Sequence, residues 1–171
     1  MSKCQNVKNR LTNIKRKYLM STKKTNGIFG NNPLCLRNGI VPWTGQLPQP
    51  QSEDHAKFES LRWGWRAAFI SLFDAYEFGY TTISKIVHCL YPASEGHHPY
   101  ALLWKMKEVF SYPFEKPLPP PQDNMSTWSL FAEAICYGLH STTVFDGINE
   151  SWIGWAMAWN LRFNSDNNNA I

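Results

Sequence analysis

The stretch "FESLRWGWRAAFISLFDAY", Phe58 to Tyr76, decides the fold. Leu61, Trp65, Phe69, Leu72 and Tyr76 recur at steps of three and four, and Phe73 widens the stripe. That period places one apolar face along an α-helix. Ser60 suits the N-cap and Gly79 the C-terminal stop, so the sequence predicts a helix over 61–78. Four more helices follow by the same reading. One covers 82–90, with Ile83, Ile86, Val87 and Leu90 on a face and Pro92 beyond it. One opens at Pro99 and carries Leu103, Met106, Lys107 and Phe110 on one side. One covers 127–139 with Trp128, Phe131, Ile135 and Leu139, and one covers 150–162 with Trp152, Trp155, Ala156 and Trp159.

Upstream of the deciding helix, residues 27–57 are dense in turn signals: Gly27, Gly30, Asn31-Asn32-Pro33, Asn38-Gly39, Pro42, Gly45, Pro48 and Pro50. Asn-Gly favours a two-residue hairpin. Leu34 and Leu36 before it, with Ile40 and Val41 after it, predict a small β-ribbon lobe. The fold class expected is therefore mainly α, about five helices with that lobe at the front. "SYPFEKPLPPPQD" reads as a stiff, polyproline-like spacer. The domain plan is a basic, disordered extension over 1–26, a core over 27–112, a linker over 113–124, a C-terminal helical pair over 125–162 and a frayed polar tail over 163–171. No internal repeat is visible.

Composition bounds the function classes. The chain has 171 residues, 43% of them hydrophobic, which is enough for one packed core. Aromatics reach 15%, with eight Trp, an excess that suits a helical core or a ligand groove. The net charge of +4 is divided unevenly along the chain. Residues 1–24 hold eight Lys and Arg and no acid, leaving nine bases against thirteen acids in the rest. Such a tail can meet nucleic acid or an anionic surface, or be simply solvated. No apolar run follows the basic start, so no cleaved secretory leader is expected, and no run is long enough for a membrane span. Cys4, Cys35, Cys89 and Cys136 form no C-x-x-C pair, which argues for reduced thiols and against a zinc site. Adjacent His97 and His98 do not share a helix face as a metal pair would. No G-x-S-x-G and no phosphate-cradling glycine loop occur. Neither a metal nor a cofactor is expected.

The series "NNPLCLR", "WTGQ", "FESLRWGWRAAFISL", "TTISKIV" and "YPASEGHHPY" resembles small phage and prophage proteins described as virion structural proteins. Their running pattern is Asn-Asn-Pro-x-Asn-Ile-Arg, Trp-x-Gly, Phe-x-x-Phe-x-Ser-x-x-x-Gly-x-Arg-Ala, Asn-Thr-Ile-x-x-Ile-Ile and Trp-Ala-Pro-Pro-x-Glu-Asn-x-Thr-x-x-Tyr. The likeness covers about residues 27–110. That family in turn is similar to the glucosaminidase branch of the lysozyme-like fold. The resemblance implies a lysozyme-like domain in which the Asn-Pro turn floors a glycan cleft and Trp43 offers a sugar-stacking face. It points to peptidoglycan or other virion proteins as partners, with nucleic acid as a further partner through residues 1–26. It places the protein in a virion or the bacterial cytoplasm. The ligand-facing residues it suggests are Asn31, Asn32, Arg37, Trp43, Gln46, Arg66 and Tyr100. This chain departs from the pattern at Cys35, where the family has Asn, at Ala93, where it has Pro, and at Gly96-His97. The Thr before Tyr100 is also missing.

Glycoside hydrolysis needs a carboxylic acid to protonate the leaving oxygen. The glucosaminidase-like enzymes carry theirs upstream of the Asn turn, yet residues 1–52 here contain no Asp or Glu. Two substitutes exist. Glu53 lies in the loop after Trp43-Thr44-Gly45, and Glu95 aligns with the family's Pro-Pro-x-Glu, where it can also brace the helix opening at Pro99. The expectation is a binding protein that has lost its hydrolytic acid; the alternative is a peptidoglycan glycosidase using Glu95 or Glu53. Cys35 is the only cysteine near the expected groove, as a small buried hydrophobe or as a nucleophile. Arg37 and Arg66 are expected to bond backbone carbonyls of the turn-rich lobe and pin it to the long helix, or to contact a sugar or an anion.

Overall fold

The computed structural model describes residues 28–50, 52–141 and 150–167. The basic extension over 1–26 and the last residues of the polar tail, 168–171, lie outside the described residues. Among the described residues there are five α-helices and no β-strand. They are α1 (Leu61–Glu77), α2 (Ile83–Leu90), α3 (Pro99–Met106), α4 (Met125–His140) and α5 (Glu150–Asn167). The mainly helical class read from periodicity is the observed one. α5 continues beyond its expected end at Arg162.

α1 is the central rod. Trp65, Ala67, Ala68, Phe69, Leu72, Phe73 and Ala75 are all fully buried along it. Trp65, Phe69 and Phe73 step down the helix with ring centroids about 6 Å apart. Phe73 is the hub: Trp128 of α4 meets it edge-on at 5.7 Å, and Trp155 and Trp159 of α5 do so at 6.4 and 5.9 Å. Edge-to-face pairs at such distances add to what area burial alone contributes. The aromatic excess is thus largely core. Ser60 occupies the N-cap of α1 with extended backbone but makes no side-chain cap bond. Thr82 does cap α2, its Oγ1 accepting from the Lys85 amide at 3.3 Å.

Two glycines set how closely other segments approach α1. At Gly64 a methyl group would overlap the Asn31 carbonyl oxygen and crowd Pro33. At Gly154 of α5 it would overlap Trp65 of α1. The Asn-Asn-Pro turn therefore rests on the backbone of α1 at Gly64, and α5 comes close to α1 where Gly154 meets Trp65.

The expected β-ribbon does not form. Leu34 and Leu36 do not pair with Ile40 and Val41 across Asn38-Gly39. Leu36 instead accepts from the Ala56 amide at 2.9 Å, and Asn38 donates to the Asp54 carbonyl at 3.0 Å. Only isolated antiparallel bridges result, Arg37 to His55 and Gln46 to Phe58. The reason is burial. Leu34, Leu36, Ala56 and Phe58 all reach the core, whereas Ile40 and Val41 stand 89% and 62% exposed.

The proline-rich segment is not a free spacer. Leu118 and Pro121 are buried in it. The Leu118 amide donates to the Thr81 carbonyl at 2.7 Å, the Tyr112 hydroxyl to the Pro117 carbonyl at 2.7 Å, and Trp128 Nε1 to the Pro119 carbonyl at 3.0 Å. It straps the start of α2 to α4. Among the described residues no helix is long and apolar enough to cross a membrane.

Candidate functional site

The turn-rich lobe and the 91–98 loop meet, although they are far apart in sequence. Arg37 is buried, with its Nη2 3.5 Å from Glu95 Oε2. The same nitrogen donates to His97 Nε2 at 3.3 Å. The Tyr91 hydroxyl donates to the Leu34 carbonyl at 2.9 Å and its ring packs edge-on against His97. Two of the motifs that carry the family resemblance are therefore one tertiary unit. Burial, with Arg37, His55 and His98 adding to it, holds the His97 pKa below its ordinary 6.5. A neutral imidazole accepting from a guanidinium fits that direction.

Asn31 and Asn32 build the turn. Asn32 is 2% exposed and its amide is fully engaged. Oδ1 accepts from the Leu36 amide, and Nδ2 donates to the Leu36 and Ala56 carbonyls, each at 2.8 Å. Asn31 Nδ2 donates to the Phe58 carbonyl at 2.9 Å. Gln46 holds the Trp43 step: its Oε1 accepts from the Trp43 amide at 2.9 Å and its Nε2 donates to Asn38 Oδ1 at 2.7 Å. These side chains close the loops on themselves.

The two candidate acids both sit in ion pairs. Glu53 lies 2.6 Å from Lys57 Nζ and accepts from Gln49 Nε2 at 2.9 Å. Glu95 faces Arg37 as described. Cys35 Sγ lies 3.6 Å from His140 Nε2. That nitrogen donates to the Pro33 carbonyl at 3.1 Å, so its lone pair is not available for the thiol's proton. Among the described residues no group of three or more His, Cys, Asp or Glu is placed to hold a metal ion.

Open space lies elsewhere. A groove of about 650 Å³ runs beside α3, lined by Tyr100, Leu103, Trp104, Lys107, Phe110, Tyr112 and Phe114 among others. Tyr100 and Trp104 stand four residues apart on one face of α3, 78% and 73% exposed. His88 packs edge-on against Tyr100 at 4.9 Å and steadies its ring. Lys107 lies over the Phe114 ring. A second concavity, of about 190 Å³, is lined by Trp43, Thr44, Arg66 and Ile70 with neighbours from 39–42. Of the expected ligand-facing residues, Trp43 and Arg66 thus share one hollow and Tyr100 opens onto another. Arg66 makes no hydrogen bond to the turn lobe; its guanidinium lies over the Trp63 ring, 5.7 Å from the centroid.

Sequence reasoning missed Trp104 and His140. Trp104 had a local signal, an aromatic one helical turn after Tyr100 and next to Lys105. His140 had none, since nothing near it in the chain marks its approach to Pro33. No protein-family model matches the chain, and no curated protein matches it.

Proposed function

We propose that this chain is a phage-derived, virion-type structural protein on a lysozyme-like helical scaffold, and that it binds peptidoglycan glycan without cleaving it. The observation that carries the reading is the aromatic pair Tyr100 and Trp104, one helical turn apart and exposed along a groove of about 650 Å³. Two large aromatics held in water by a rigid helix form a stacking face, with Lys107 at the edge to meet acetamido or carboxyl groups. Neither Glu53 nor Glu95 lines the Tyr100–Trp104 groove, and each is engaged by a cation, Lys57 and Arg37, which counts against their serving as the acid of a hydrolase there.

Co-sedimentation with purified peptidoglycan tests this directly. The wild-type chain pellets with the polymer, and Tyr100→Ala and Trp104→Ala each weaken retention by about tenfold, the loss of a stacked ring. A chain that stays in the supernatant overturns the reading. Cell-wall zymography on the same samples addresses the glycosidase alternative: clearing that disappears in Glu95→Gln or Glu53→Gln would replace binding with catalysis.

A further inference from the structure

Arg66 presents a charge without a counter-charge. The residue is 7% exposed. Its guanidinium has no hydrogen bond and no carboxylate partner among the described residues, and its one contact of note is the face of Trp63. Burial alone pulls its pKa below the ordinary arginine value. The Arg66 side chain is mostly packed away but faces the concavity and meets no carboxylate among the described residues, so an anion entering there finds donors that no acid of the fold already occupies. Arg66 lines the concavity of about 190 Å³, together with Gly39, Val41, Pro42, Trp43, Thr44 and Ile70. No acidic residue lines that hollow, so a carboxylate from outside meets no like charge there.

We propose that this concavity is a carboxylate-binding site, in which a small acid places its carboxylate on Arg66 and its apolar body against Trp43 and Ile70. Three features select this class. A lone guanidinium matches a planar carboxylate with two parallel bonds, whereas a doubly charged phosphate calls for more donors than one arginine and one threonine hydroxyl. The walls are apolar and aromatic, which suits an acid with a hydrocarbon or sugar body. The volume admits a single residue or ring and excludes a polymer. The site is separate from the Tyr100–Trp104 groove and does not depend on the glycan reading.

Isothermal titration of the full chain with matched acid and neutral ligands tests it. N-acetylmuramic acid is set against N-acetylglucosamine, and acetyl-dialanine against its C-terminal amide. The sugar pair and the peptide pair distinguish the two sources of the carboxylate. At least one acid binds in the millimolar range or tighter, with its neutral partner about tenfold weaker or worse. Arg66→Met lowers that affinity by at least about tenfold, while Arg66→Lys, which keeps the charge but loses the fork, falls between. Equal binding of acid and neutral partner, no binding of either acid at millimolar concentration, or undiminished binding by Arg66→Met overturns the proposal. Should Arg66→Met fail to fold, the acid and neutral comparison on the wild-type chain decides alone.

Discussion

At the scale of single residues, the front of the molecule is organised by one amide. Asn32 spends no bond on solvent: it closes the 32–36 turn on itself and ties it to Ala56. Neither Ser nor Asp reproduces this, because the site needs two donors and an acceptor on one short side chain. Asn32→Ala leaves the Leu36 amide and the Ala56 carbonyl without this partner in a buried place, while the Leu36 carbonyl keeps the Ala56 amide. The expected loss is about 3 kcal/mol, read as a lower midpoint in urea unfolding with an unchanged slope. Cys35, three residues on, sits at φ 49°, in the left-handed region. Asn is the non-glycine residue that tolerates this best, which gives a conformational reason for the Asn that the resembling family carries here.

At the scale of elements, α1 is both wall and foundation. Its apolar stripe faces α5 and α4, and its glycine at 64 receives the Asn-Asn-Pro turn. Helix propensity and packing make opposite predictions for Gly64→Ala. Propensity alone favours alanine by about 1 kcal/mol. Packing forbids it, since the new methyl would overlap a backbone carbonyl that cannot swing away. We expect packing to prevail, with a destabilisation of about 3 kcal/mol or more and a correspondingly lower Tm. A Tm at or above the wild type would mean that the turn does not rest on α1. The proline-rich strap makes a related point. Prolines donate no backbone hydrogen bonds, but their carbonyls accept, and here they accept from Trp128 and Tyr112.

At the scale of the whole molecule, three histidines converge on the lobe from separate elements. Burial lowers the pKa of each: His55, despite the opposing Asp54 and with help from Arg37 and His140; His97, with help from Arg37; and His140, despite its bond to the Pro33 carbonyl. A histidine whose folded pKa lies below the unfolded 6.5 takes up fewer protons when folded. Stability from these groups is therefore complete above about pH 6.5 and is lost as the pH falls through their lowered folded values. Thermal melts should show a Tm that is level above neutrality and drops on acidification toward pH 5, with the drop smaller in His140→Gln. A Tm independent of pH between 5 and 7.5 would contradict the burial of these rings.

The chain's local chemistry determined its helices, their order and most of their ends. Hydrophobic periodicity, Pro99 at a helix start and Thr82 at a cap all act within one or two turns, and such signals survive in any tertiary setting. Tyr100 and Trp43 were suggested as contact residues by the family resemblance and not by their local chemistry. What only tertiary structure decided are the pairings over long separations. Arg37 meets His97 across 60 residues and Cys35 meets His140 across 105. The segment after Leu34 pairs with 54–58 instead of with its own hairpin, because burying Ala56 and Phe58 on α1 outweighs the turn preference of Asn38-Gly39. The setting of Arg66 belongs to this second kind: a sequence shows that a cation is present, but only the packed structure places it beside Trp43 and Ile70 in a hollow with no carboxylate partner among the described residues.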